Sequence, residues 1–136
     1  MKTPITIIGN LGGDPELRVT PAGDSVASFS VAVTDRVKDK RSGEWADGDT
    51  TWYRVSAWRD LGENAAECLG RGQRVTVVGS VKAESWTDKE GNERTTFAVE
   101  ADDIGVSVRF DPAYHADRKA ARAQTPAPLE PGEEPF

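Results

Sequence analysis

Thr51-Trp52-Tyr53-Arg54-Val55-Ser56-Ala57-Trp58-Arg59 carries two patterns at once. Side chains of an extended strand point to opposite sides with period two. Tyr53, Val55 and Ala57 therefore share one side, and Trp52, Arg54, Ser56 and Trp58 the other. The first set is a core face. The second puts two indoles on one side of a strand with a guanidinium between them. Tryptophans are usually largely buried, so the plain alternative is that both are core residues and Arg54 snorkels to water. The same face also has what a single-stranded nucleic acid needs: π-faces on which any base stacks, and cations that follow the phosphates.

Working outward, residues 26–34 alternate cleanly, with Ala27, Phe29, Val31 and Val33 on one face and Ser28, Ser30, Ala32 and Thr34 on the other. Residues 5–11 read as a strand running into a bend at Gly12-Gly13-Asp14-Pro15. The polar stretch 35–50, with a turn at Ser42-Gly43, predicts a long β-hairpin or a loop and holds Lys38, Lys40, Arg41 and Trp45. Beyond the central strand, Asp60 followed by Glu63 has the form of a helix N-cap, and Gly70 and Gly72 supply a stop. A short helix over 61–69 is predicted.

Residues 73–84 mostly alternate, with Val75, Val77 and Val81 on one face and Arg74, Thr76, Ser80, Lys82 and then Trp86 on the other; Val78 falls on the polar side. Residues 88–92 form a turn, 94–101 return as the last strand, and a further short piece is predicted at Val106, Val108 and Phe110. Three strands, a helix and two strands give an all-β class, a five-stranded OB-fold barrel with one short helix. The order alone is shared with other α+β folds.

The chain has 136 residues and a net charge of −6, with −4 in residues 1–110 and −2 in 111–136. Composition therefore does not suggest nucleic acid, and a DNA site must come from cations gathered on one face. Cys68 is the lone cysteine, which excludes an intrachain disulfide and a cysteine zinc set. It reads as a small core residue of the helix. No apolar run near the N-terminus resembles a signal peptide or a membrane span, so a cytoplasmic protein is expected. Gly9 to Gly13 lacks the Gly-Lys-Ser/Thr ending of a phosphate loop. His115 has no partner in the pattern, and no carboxylate pair has a spacing suited to acid–base work. No catalytic residue, cofactor or metal is indicated.

From Asp111 the composition changes to Ala and Arg, and then to four prolines within 126–135. Residues 111–136 are expected to be a disordered tail after a domain of residues 1–110.

Gly9-Asn10-Leu11-Gly12-Gly13-Asp14-Pro15-Glu16-Leu17-Arg18, the Trp52 to Trp58 strand, Arg71-Gly72 and Ser85-Trp86-Thr87-Asp88 together resemble the bacterial single-stranded DNA-binding protein family, in order across about residues 3–105. Residues 42–49 look most like its actinobacterial branch, in a cellular or phage copy. The resemblance implies an OB fold, a homotetramer around which DNA wraps, and stacking at Trp52, Trp58 and Trp86. Arg54, Arg71, Arg74 and Lys82, with Lys38, Lys40, Arg41 and Trp45 from the polar stretch, complete the expected DNA-binding set. Val37 departs from the family, in which an aromatic residue is common; either one stacking platform is missing or Trp45 replaces it.

The ending Glu133-Glu134-Pro135-Phe136 resembles the family's acidic, Phe-terminated tip, which docks on replication and repair proteins. The acidic run is short, Glu134 stands in place of an aliphatic residue, and the tether is shorter than the family's. The implied function is sequence-tolerant protection of single strands in replication, recombination and repair by a nucleoid-associated protein. The alternative is an OB-fold adaptor of a primosome-type assembly that mainly binds proteins, and an enzyme is a third class.

Overall fold

Alternating Val-rich segments close on one another in the computed structural model, which describes residues 1–110. The strands are β1 (Thr3–Leu11), β2 (Glu16–Val19), β3 (Ser25–Lys38), β4 (Trp45–Trp58), β5 (Arg74–Thr87) and β6 (Glu93–Val106), with one helix, α1 (Arg59–Cys68), between β4 and β5. The sheet order is β1-β5-β6-β4-β3-β2, and an added β1–β3 pairing at Asn10–Ala32 and Leu11–Val31 closes the barrel. The β4–β6 seam is parallel over Tyr53–Phe97 to Ser56–Glu100; every other pairing is antiparallel. The five expected strands correspond to β1, β3, β4, β5 and β6, and this is the OB barrel.

The inward set is the one that period two predicts. Val31, Val55, Val75, Val77 and Val99 are fully buried, and Ile7, Leu11, Phe29, Ala57 and Ala101 join them. Burial of such apolar surface is the main favourable term in folding. One end of this core is covered by α1, whose Ala65 and Leu69 are buried, while Leu61 and Cys68 pack partly against it.

Of the two forms expected for residues 35–50, the long hairpin is the one present: β3 and β4 continue through them, turned at 39–44 by bonds from Asp39 N–H to Glu44 O and from Gly43 N–H to Asp39 O, both 2.8 Å. Several other local expectations are corrected. α1 begins at Arg59 rather than residue 61, and its N-cap residue, Trp58, makes no side-chain cap bond. Glu63 does not complete a capping box; its carboxylate accepts from Ser25 Oγ at 2.8 Å and ties the helix to β3. The chain turns into α1 through Arg59 at φ 58°, an uncommon conformation for a residue other than glycine. Strand β2, paired with 25–28 of β3, was not anticipated. β6 runs unbroken to Val106, and Val108 and Phe110 lie outside the sheet.

The helix sits close to the sheet because residue 62 has no side chain. A Cβ on Gly62 would lie 2.2 Å from Ala57 O and 3.1 Å from Ala27 N, both backbone atoms that cannot swing aside. Gly62→Ala is therefore expected to lower stability by about 1–3 kcal/mol, although alanine is the better helix former. A urea unfolding curve checks this, and an unchanged midpoint would contradict the close packing.

Candidate nucleic-acid interface

Cross-strand register decides which of the expected residues share a surface. Ser30 pairs with Arg54, Arg54 with Ala98, and Ala98 with Lys82. These four form a row across β3, β4, β6 and β5 on the outer side of the barrel. The next row is Glu16, Ser28, Ser56, Glu100 and Ser80. Trp58 follows in register with Val26 and Arg18. In the other direction Trp52 stands beside Ala32, and Trp86 beside Arg94. Trp52, Arg54, Trp58, Lys82 and Trp86 thus lie on one face, with Arg54 and Lys82 two strands, or roughly 10 Å, apart.

The indoles are not core residues. Trp52, Trp58 and Trp86 are 55%, 41% and 51% exposed, while Val55 and Ala57 between them on β4 are fully buried. Beside Trp58 an open groove of about 630 Å³ is lined by Ser56, Ser80, Lys82, Ala98 and Glu100 among others, with Met1 to Thr3 also on its wall; Trp52 and Trp86 lie outside it. Its floor is made of small side chains, which leaves room for a ligand to lie against the sheet. Arg54 and Lys82 form no ion pair among the described residues, so their charge is not spent internally.

Each of two indoles has a defined seat. The Trp52 ring lies over Gly12, where a Cβ would come within 2.6 Å of ring carbon Cζ3. Gly12 N–H donates to Ser30 O at 2.9 Å, which holds this backbone against β3. The Trp86 indole N–H donates to Thr96 Oγ1 at 2.9 Å, so that ring reaches across onto β6.

The remaining expected residues fall in three places. Arg71 sits in a loop bound to the 12–14 bend through its N–H to Asp14 Oδ1, at 2.8 Å, at the Trp52 end of the face. Lys38 and Trp45 are cross-strand partners on the β3–β4 arm, and Lys40 and Arg41 occupy its turn. Trp45 is 60% exposed. Val37 pairs instead with Ala46, so Val37 and Trp45 occupy opposite faces of the arm.

Arg74 is not brought together with the others. It pairs with Asn10 of β1, its Nε is buried without a hydrogen bond, and its guanidinium lies 5.1 Å from the centre of the Phe110 ring. Glu133, Glu134, Pro135 and Phe136, and the tail expected over 111–136, lie outside the described residues. Sequence reasoning missed Arg18 and Arg94 as cations of this face, and Gly12 and Thr96 as the seats of its indoles. Arg94 was legible, since it stands opposite Trp86 across the Asp88-to-Asn92 turn.

That turn is organised by one carboxylate. Asp88 accepts from the N–H groups of Glu90 and Asn92 and from Arg94 Nε, each at 2.9 Å. The Arg94 guanidinium first, and then the Asn92 N–H, hold the Asp88 carboxyl below its ordinary value. Among the described residues no group of acidic, histidine or cysteine side chains is arranged to hold a metal, and no helix is long and apolar enough to cross a membrane.

Fold and face together define an OB-fold protein with an open, indole-lined outer sheet. Residues 3–107 match the Single-strand binding protein family, and the chain belongs to it. It is 48% identical over 123 residues to the single-stranded DNA-binding protein of Paenarthrobacter aurescens, covering 90% of this chain and 69% of that one. With the protein of the same name from Mycobacterium tuberculosis it shares 51% over 108 residues, 79% of this chain and 66% of the other. The chain thus spans about two thirds of the length of these actinobacterial relatives. The crystal structure of the small single-stranded DNA-binding protein from Streptomyces coelicolor superposes with a TM-score of 0.72 at 32% identity, over 79% of this chain and 95% of that one.

Because the folded Asp88 carboxyl titrates below its unfolded value, the support it gives the turn is complete above about pH 4 and disappears as pH falls through the lowered value. Asp88→Asn is expected to cancel this acid-side dependence. At neutral pH it should also speed amide exchange at Glu90 and Asn92 while the barrel amides stay protected. Unaltered exchange at both would show that the carboxylate does not hold the turn.

Proposed function

We propose that the chain binds single-stranded DNA without sequence preference and shields it, in replication, recombination and repair. The observation that carries this reading is the exposure of Trp52, Trp58 and Trp86 on one strand-built face that also holds Arg54 and Lys82. Bases stack on the indoles, and phosphates follow Arg54 and Lys82 with Arg71 at one end. Lys38, Lys40, Arg41 and Trp45 extend the contact along the hairpin arm, whereas Arg74, held against Phe110, takes no part in it. Stacking tolerates any base because every base has a π-face. The names of the relatives agree with this assignment.

The domain is residues 1–110, and 111–136 act as a tail that recruits replication and repair proteins through Glu133, Glu134, Pro135 and Phe136. A terminal ring suits an apolar pocket, and the carboxylates suit a basic rim. The working form is a homo-oligomer, with a tetramer as its expected size, in the cytoplasm. Self-association is favoured by β1, which meets β3 only at Asn10 and Leu11 and leaves the rest of that edge unpaired among the described residues. Ile8 on β1 and Val78 on the adjoining β5, 45% and 44% exposed, add apolar surface to that end of the sheet.

Trp52→Ala or Trp86→Ala is expected to weaken binding of an oligo-dT by about 1–3 kcal/mol each, read by fluorescence titration. Unchanged affinity in the folded double variant would reject the face, and weak binding by the parent protein would favour the adaptor. Affinity should fall as salt rises, since phosphates are neutralised by Lys and Arg despite the acidic total. Removing residues 133–136 should leave oligonucleotide affinity unchanged or slightly tighter at low salt, yet abolish capture of an exonuclease or primase that recognises the tip. Capture that survives the truncation would make the ending a solubilising one.

A further inference from the structure

The two ends of the Trp86 side chain differ in what they have left to offer. Its N–H is the indole's sole hydrogen-bond donor, and it is given to Thr96 Oγ1 at 2.9 Å. The ring plane has no aromatic or cationic partner among the described residues, and the residue is 51% exposed. Thr96 stands opposite Glu84 on the neighbouring strand, one step along the same face from the Trp86–Arg94 pair. The bond therefore crosses from β5 to β6 on the diagonal and fixes the indole by its edge.

We propose that Thr96 is a positioning residue for DNA binding: its hydroxyl holds the Trp86 indole across β6, so that bases meet a presented π-face. This rests on the assignment of Trp86 as a stacking platform. An exposed tryptophan has freedom about two side-chain torsions, and ordering it on binding costs free energy. A ring already held by its N–H has part of that ordering done. Occupying the donor has a second effect: it cannot reach a base edge, which removes one source of discrimination between bases. Both effects need the hydroxyl and not merely a side chain of that volume.

Thr96→Val keeps size and strand preference but removes the acceptor. With the full-length chain, it is expected to bind oligo-dT about three- to tenfold more weakly, the range of a single neutral hydrogen bond, with an unchanged unfolding midpoint. Thr96→Ser should restore parental affinity. In a Trp86→Phe background, which keeps a stacking ring but has no N–H, Thr96→Val should have no further effect. The Trp86 indole N–H resonance, identified by its loss in Trp86→Phe, should move in Thr96→Val.

Parental affinity in Thr96→Val would overturn the proposal, as would an equal loss in the Trp86→Phe background, which would mean that Thr96 touches DNA itself or supports the fold. Failure of the underlying reading is separate. Trp86→Ala would then bind as the parent does, whatever happens at position 96.

Discussion

Strand β1 belongs to two pairings at once, and the barrel depends on that sharing. Along most of its length it lies against β5; at Asn10 and Leu11 it also meets β3. Without that second contact the six strands would be an open sheet with two long edges. With it they enclose a core whose fully buried side chains are all valines among the larger residues. The bend at Gly12 to Asp14 follows directly, and its position next to β3 brings the Gly12 backbone beneath Trp52. Closure of the barrel and seating of an indole are therefore consequences of one strand.

An acidic chain can present a cationic path because the charges are sorted by row. Arg54 and Lys82 share a row with Ser30 and Ala98, while Glu16 and Glu100 occupy the adjacent one with three serines. Lys2 lies 3.8 Å from Glu100 in an exposed pair, which partly offsets that carboxylate. At physiological salt, fields from charges elsewhere are screened within about 8 Å. A ligand on this face responds to the charges of this row and its immediate neighbours rather than to the total of −6.

Period two made the central strand legible, because Val55 and Ala57 leave no doubt about which side is inward and so about which side the indoles take. The same rule read β3 and β5 correctly. It failed on β2, whose four residues are all exposed and so carry no alternation to detect. It failed at the start of α1 as well, since Asp60 and Glu63 have the spacing of a cap but Glu63 is committed to Ser25 across 38 residues. Arg74 illustrates a different limit: its polar face was read correctly, but nothing in its neighbours in sequence indicates that Phe110 will stack on it. The separation of Val37 from Trp45 follows from the irregular register between Thr34 and Arg36, a detail of pairing that alternation cannot express.

The parallel seam between β4 and β6 involves only Tyr53 to Ser56 against Phe97 to Glu100. Past it, the β3–β4 and β5–β6 hairpins carry on as separate ribbons, each with its own turn. Their lengths and tips can drift through insertion, deletion or substitution without disturbing the valine core or the closing contacts of β1. A lineage can thus alter the reach and character of either ribbon while inheriting the same barrel.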